Sequence, residues 1–206
     1  MSRYLMTHSL LASWLYAMKE DPYADATTER DPYYEFLDVL NRVPTPTTEA
    51  MQNGIDFEEL VTSIANGAEW QTDKENKWYD AAAKVAGIVR GGQFQYKAKK
   101  VVTVGGIEFL LYGRLDVLKA GTIYDIKFSK SYDRGKFFSS TQHPLYLKLI
   151  PEAREFTYLI SNGTDVWTET YTPTETRSIF PVISDFTDWL VDHDLWKIYA
   201  EKWEAL

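Results

Sequence analysis

Residues 107–128 read Ile107-Glu-Phe-Leu-Leu-Tyr-Gly-Arg-Leu-Asp-Val-Leu-Lys-Ala-Gly-Thr-Ile-Tyr-Asp-Ile-Lys-Phe128, and they contain two strands and a turn. Ile107 to Leu118 and Thr122 to Phe128 are rich in branched and aromatic residues, and Ala120-Gly121 between them predicts a hairpin. Side chains alternate along a strand, so Asp125 and Lys127 leave the second strand on one face while Tyr124, Ile126 and Phe128 take the other, apolar one. The same alternation puts Leu115 and Val117 on one face of the first strand and Arg114, Asp116 and Leu118 on the other. The turn then folds Asp116 back toward Asp125. A Lys–Asp ion pair would account for one acid. Two carboxylates on a half-buried face repel each other, and a divalent cation is what neutralises both.

Working outward, Gln93 to Val104 is a third strand across Gly105-Gly106, which predicts an antiparallel meander. Upstream, helices are expected over Ser9 to Lys19, Thr48 to Asn66 and Asp73 to Arg90, the last two ending at glycine. Residues 20–34, with Asp-Pro pairs at 21 and 31, predict a polar loop. Downstream, the pattern gives a helix over Phe138 to Ile150 and strands Phe156 to Ile160 and Val166 to Tyr171 around Asn162-Gly163. A helical region, Glu175 to Ala205, follows. This order predicts an α+β or mixed α/β fold, a central mixed sheet flanked by helices, in a single domain of residues 1–206 with its motif core at about 54–150.

The chain has 206 residues, enough to bury about 70% of its unfolded surface without disulfides or a structural metal. Zero cysteines exclude thiol catalysis and thiolate metal sites and fit a reducing cytoplasm. No apolar run is long enough to span a bilayer. Leu5 to Met18, interrupted by His8, Ser9 and Ser13, does not read as a signal peptide. The net charge of −8 argues at first against a nucleic-acid partner, but residues 97–136 hold nine basic residues against four acids, +5 locally and −13 for the remainder. Such segregation makes either a steering surface or a solvated strand face.

Two further elements carry chemistry. On the second predicted helix, Glu58 shares a face with Gly54, Val61 and Ala65, whereas Glu59 points about 100° away. Glu58 thus faces inward, to a site or to the rim of the core, and Gly54 leaves room for a close approach to the sheet. In Gln142-His-Pro-Leu-Tyr146, Pro144 falls in a first helical turn, so Gln142 and Tyr146 sit one turn apart where a helix N-terminus favours an anion. Trp189, Trp196 and Trp203 recur every seven residues, as a core stripe or a partner surface.

In this order, Gly54-x-x-Phe57-Glu58, Gly113-x-x-Asp116, Asp125-x-Lys127 and Gln142-x-x-x-Tyr146 resemble the PD-(D/E)XK nuclease superfamily, in particular its RecB-like and phage-type exonuclease branch. The resemblance covers Gly54 to Tyr146 and, loosely, the Thr7-His-Ser-Leu-Leu segment. Leu115 stands where the eponymous proline would be, and the cysteines of the iron–sulfur subgroup are absent. The resemblance implies a restriction-endonuclease-like core. It also implies metal-dependent hydrolysis of DNA phosphodiester bonds, as an exonuclease in phage or bacterial recombination, repair or processing. Glu58, Asp116, Asp125 and the carbonyl of Ile126 would bind Mg²⁺ or Mn²⁺, Lys127 would position or deprotonate a water, and Gln142 and Tyr146 would hold the strand. Lys130, Arg134 and Lys136 would track neighbouring phosphates. DNA, a recombination or single-strand-binding protein, and a second copy of the chain are the partners it allows.

The alternative is a non-catalytic nucleic-acid-binding or assembly protein on the same fold, against which the intact Asp125-x-Lys127 pair counts. No Gly-x-x-x-x-Gly-Lys-[Ser/Thr] loop supports nucleotide chemistry. No Gly-x-Ser-x-Gly elbow supports a serine hydrolase, and His143 reads as a helix-start residue, not a base.

Overall fold

The computed structural model describes residues 2–19, 31–68 and 74–205. In chain order the elements are β1 (Arg3–Thr7), α1 (His8–Ala17), α2 (Pro32–Leu40), α3 (Glu49–Ala65), α4 (Tyr79–Val89), β2 (Gln93–Val104), β3 (Ile107–Lys119), β4 (Thr122–Phe128), α5 (Gln142–Leu149), β5 (Glu155–Ser161), β6 (Val166–Tyr171), α6 (Phe180–Asp192) and α7 (Trp196–Lys202). The six strands form one mixed sheet in the order β1-β3-β4-β5-β6, with β2 on the other edge of β3. β1 runs parallel to β3 and β4 parallel to β5, and the remaining pairs are antiparallel.

The sheet separates two apolar cores. On one face Phe57, Val61 and Ile64 of α3 and Ala82, Val85 and Val89 of α4 cover Val117, Ile126 and Leu159. Phe57, Trp78 and Phe128 form an aromatic cluster there, with centroids 4.7–6.4 Å apart. On the other face Leu10, Phe36, Leu145, Phe186 and Tyr199 from α1, α2, α5, α6 and α7 pack on Phe109, Leu111, Leu115, Ile123, Phe156 and Tyr158. Each fully buried large side chain contributes about 1.5–3 kcal/mol by leaving water. Trp203 is buried and Trp189 and Trp196 pack against this core, so the tryptophan repeat is a core stripe.

Several expected boundaries move. β1 is a strand that the sequence reading omits, because five residues with one fully buried side chain show no clear alternation. The chain end flanks it, through Leu5 N–H to the Trp203 carbonyl (2.6 Å) and Ala205 N–H to the Arg3 carbonyl (2.7 Å). Of the expected loop 20–34, residues 20–30 lie outside the described residues, as does the expected helix start at Asp73. The second Asp-Pro pair starts a helix: Asp31 caps α2 by accepting from Tyr33 N–H, and Pro32 sits in the first turn, where an amide is dispensable. Thr48 caps α3 in the same way.

The helix expected from Phe138 begins only at Gln142: residues 135–140 form i→i−3 turns instead (Phe138 N–H to the Gly135 carbonyl at 3.0 Å, Ser140 N–H to the Phe137 carbonyl at 2.9 Å), in a segment that Glu169 anchors through the Gly135 and Phe137 amides. The terminal helix starts at Phe180 and breaks after Asp192, where Asp194 is left-handed (φ 58°).

The close approach expected at Gly54 occurs elsewhere. A Cβ at Gly54 would meet nothing within 4 Å, whereas a Cβ at Gly113 would lie 2.6 Å from Tyr146 Cε1 and 2.9 Å from Leu149 Cδ1. The glycine that lets a helix sit on the sheet is therefore Gly113, under α5. Opposite signs follow for one substitution. Gly113→Ala overpacks the α5–β3 contact and should destabilise by about 1–3 kcal/mol. Gly54→Ala removes a helix-interior glycine in open space and should stabilise by about 1 kcal/mol. Urea or thermal unfolding of both variants tests this, and a gain in stability for Gly113→Ala would contradict the packing described.

Candidate functional site

The long strand β3 is paired with β2 along one edge. On the other edge β1 pairs with residues 108–112 and β4 only with 117–119, which leaves Gly113-Arg-Leu-Asp116 with no strand partner on that side. β3 and β4 thus part beyond the Val117–Tyr124 pair. Asp116 bridges the fork, its Oδ2 accepting from Ile126 N–H at 2.8 Å. Tyr146 donates from above to the carbonyl of Arg114 at 3.2 Å.

Strict alternation fails at this point. Leu115 packs in the α5-side core but Val117 in the α3–α4 core, so the expectation that they share a face is corrected. β2 turns over in step: Phe94 packs with Val117, and Ala98 packs on the opposite face. Between them Gln95, opposite Asp116 in the register but unpaired, has a left-handed backbone (φ 53°). Such strain in a non-glycine residue is held by its surroundings, and it aims the Gln95 side chain at α3, where its Nε2 donates to Glu58.

Asp125 and Lys127 do share a face. Asp125 is only 3% exposed. Its Oδ1 accepts from Gln142 Nε2, and its buried Oδ2 has the Lys127 ammonium at 2.8 Å. About a third of the Lys127 side chain reaches solvent. Glu58 lines a cleft with Glu59, Thr62, Gln95 and Arg114.

The charges act on one another. Burial raises the Glu58 pKa and the charge of Asp125 raises it further, against the pull of Arg114 and Lys127. Burial, then Asp125 and Glu58, push Asp116 well above the usual carboxylate range, although the Ile126 N–H opposes this. For Lys127, burial favours loss of the proton, but Asp125 outweighs it and the net shift is upward. Lys127 is therefore an ammonium at neutral pH, suited to orienting an anion or a water rather than to deprotonating one.

The three expected ligands come from three elements and share one field, yet each is turned onto a protein donor. Among the described residues no three acidic, histidine or cysteine side chains form a ready metal-binding group. What fits a cation is the chemistry of the set: hard oxygen donors, mutual repulsion, and a buried Asp125 Oδ2 whose polar contact is Lys127.

Gln142 and Tyr146, expected on phosphate, are 5% and 7% exposed and face the protein: one orients Asp125, the other holds the open edge of β3. Burial raises the Tyr146 pKa to about 12, so the phenol stays a donor. Lys130, Arg134 and Lys136 are exposed on the loop after β4. Lys136 is tied to Ser129 Oγ (2.9 Å) and the Ser131 carbonyl (3.2 Å).

Four contributors escaped the sequence reading. Gln95 acts through a backbone turn-over that periodicity does not signal, and Arg114 lines the cleft. His8 Nδ1 meets Thr141 Oγ1 at 2.8 Å, and burial, Lys127 and His143 hold it neutral, with its pKa lowered to about 3. Glu169 accepts from Tyr132 OH (2.7 Å), Gly135 N–H (3.1 Å), Phe137 N–H (3.2 Å) and Tyr171 OH, fixing the basic loop. Its signal was legible: alternation places this one acid on the inward face of β6 beside Tyr171. His143 stands in the first turn of α5, the helix-start position expected of it, and stacks on Tyr171 at 4.0 Å and 7°.

No protein-family model and no curated protein sequence matches the chain. Among solved structures it is similar to the one titled crystal structure of SSO0001, at 16% identity and a TM-score of 0.41, over 68% of this chain and 87% of that one.

The field has a sign that can be measured. An acid whose folded pKa lies above its unfolded value takes up a proton on folding, so its ionisation costs stability as pH rises from the ordinary value through the raised one. Asp116→Asn keeps an acceptor for the Ile126 N–H and removes that cost. In EDTA the variant should melt above wild type at about pH 8, and the gap should close toward about pH 4, near the ordinary carboxylate value. A variant that melts lower at pH 8 would contradict the mutual repulsion.

Proposed function

We propose that the chain is a metal-dependent nuclease that hydrolyses DNA phosphodiester bonds on a restriction-endonuclease-like core of the PD-(D/E)XK type, in the manner of RecB-like and phage-type exonucleases. One observation carries this reading. Carboxylates from α3 (Glu58), β3 (Asp116) and β4 (Asp125) meet in a single electrostatic field at the β3–β4 fork, with Lys127 paired to the most buried of them. A fold has little use for such repulsion unless a cation relieves it.

Glu58, Asp116, Asp125 and the Ile126 carbonyl are the residues that would hold Mg²⁺ or Mn²⁺, and a cation bound there supplies an acidified water and offsets charge on the phosphoryl oxygens. The chain's own groups do the rest. Lys127 holds its proton and orients water and phosphate through charge. Gln142 fixes the Asp125 carboxylate by donating to Oδ1, and Tyr146 pins the unpaired edge of β3 so that Asp116 keeps its angle. Lys130 and Arg134, exposed on the loop that follows β4, are the cations available to flanking phosphates.

Incubation of linear and circular, single- and double-stranded DNA with Mg²⁺ or Mn²⁺ at low salt tests the reading. Asp125→Asn and Lys127→Gln should each lower the cleavage rate by about 10²–10³ while leaving the fold intact, as judged by circular dichroism. Glu58→Gln should cost far more activity than Glu59→Gln, since Glu59 is exposed whereas Glu58 is half-buried and accepts from Gln95. Near wild-type cleavage by Asp125→Asn would remove the assignment. DNA binding without cleavage would favour the non-catalytic alternative.

A further inference from the structure

Beyond the turn-over at Gln95 and Asp116, the outward face of β2 and β3 lies outside both cores. Ala98, Val102, Phe109, Leu111 and Leu115 point inward and are buried. Their neighbours point out: Lys97, Lys99 and Val101 on β2, and Leu110, Tyr112 and Arg114 on β3. α3 and α4 cover only the Phe94–Val117 end of these strands. Lys97 stands directly opposite Arg114, and Lys99 opposite Tyr112. Lys97, Lys99 and Arg114 are exposed, and no ion pair joins any of them to an acid among the described residues. The acid on this face, Glu108, sits at the far end against Arg3 at 3.7 Å.

Like charges directly opposite on paired strands destabilise a sheet, and although the chain carries a net charge of −8, no acid of this face lies beside Lys97 or Lys99 among the described residues. Arg114 belongs at once to this ladder and to the Glu58 cleft. Three cations and a half-exposed tyrosine ring thus lead away from the carboxylates in a continuous row.

We infer that the outward face of β2 and β3, through Arg114, Lys97 and Lys99 with Tyr112, is the track on which a single strand of DNA lies as it leaves the cleft. The occupant is set by charge complementarity. Phosphates meet the cations, and Tyr112 offers a ring on which a base stacks without regard to sequence. The inference rests on the proposed nuclease reading, because it assigns the polymer that the cleft receives.

The test is fluorescence anisotropy of a labelled single-stranded oligonucleotide against salt, with Asp125→Asn as the background so that nothing is cut. Each phosphate contact on a single strand contributes about 0.7 to the slope of log K against log salt. Lys97→Gln/Lys99→Gln/Arg114→Gln should therefore flatten the slope by about 2 and weaken binding at least tenfold at ~50 mM salt. Lys84→Gln, on the exposed side of α4, should change neither. With Asp125 restored, Lys97→Gln/Lys99→Gln should raise KM for the oligonucleotide with kcat held, and its melting temperature should be unchanged or higher because like-charge repulsion is gone.

An unchanged slope in a protein that cleaves DNA would overturn the track and leave the nuclease reading standing. Binding that weakens as described in a protein that never cleaves would keep the track and overturn the chemistry. No binding of any DNA by the starting protein would overturn both.

Discussion

The structure turns on the hydrogen bond from Ile126 N–H to Asp116, made where two neighbouring strands stop pairing. Had β3 and β4 stayed zipped, Asp116 and Asp125 would be ordinary cross-strand neighbours and the Ile126 amide a ladder donor. Instead pairing ends at Val117 and Tyr124, and a side chain takes the place of a backbone carbonyl. A buried amide without a partner is costly, so the fork and the carboxylate are mutually dependent. The rest of the site is built around this opening. α5 lies over it because Gly113 has no side chain, Tyr146 takes the free Arg114 carbonyl, and Gln142 reaches Asp125. Gln95 turns over opposite Asp116 and hands its amide to Glu58.

The electrostatics follow from the same opening. Three carboxylates and one ammonium, largely shielded from water, leave an excess of negative charge that Lys127 offsets only in part. The structure accommodates it by holding Asp116 and Glu58 closer to their protonated forms. Glu169 is the contrast: hydrogen bonds from Tyr171, Tyr132 and two backbone amides overcome its burial and lower its pKa, so it remains a structural anion. Glu169 is thus satisfied by four neutral donors, whereas Glu58, Asp116 and Asp125 each meet a donor but keep their mutual repulsion.

Much of this is legible in the sequence alone. The strands Gln93–Val104 and Thr122–Phe128 carry clear turn signals at Gly105-Gly106 and Ala120-Gly121, and their limits match the structure. The Asp125–Lys127 pairing and the inward placement of Glu58 follow from the periods of strand and helix. What was not legible depends on contacts distant in sequence. β1 exists because β3 and the chain end pair with it. The region at Phe138 forms i→i−3 turns in a loop anchored by Glu169, about thirty residues later in the sequence. The turn-over at Gln95 and Asp116 arises from two strands acting together, which one-dimensional periodicity cannot encode. At Pro32 a helix replaces the expected loop because Asp-Pro marks both a turn and a helix start.

The central claim is that the Asp116–Glu58–Asp125 set is a repulsive cluster completed by a divalent cation. Calorimetric titration with Mn²⁺ in two buffers of different ionisation enthalpy tests it most directly, because cation binding must expel protons held by the raised carboxylates. The account predicts saturable binding with proton release that grows as pH falls toward the ordinary carboxylate range, and with that release diminished in Asp116→Asn. Absence of binding, or binding that releases no protons and is indifferent to Asp116→Asn, would contradict it.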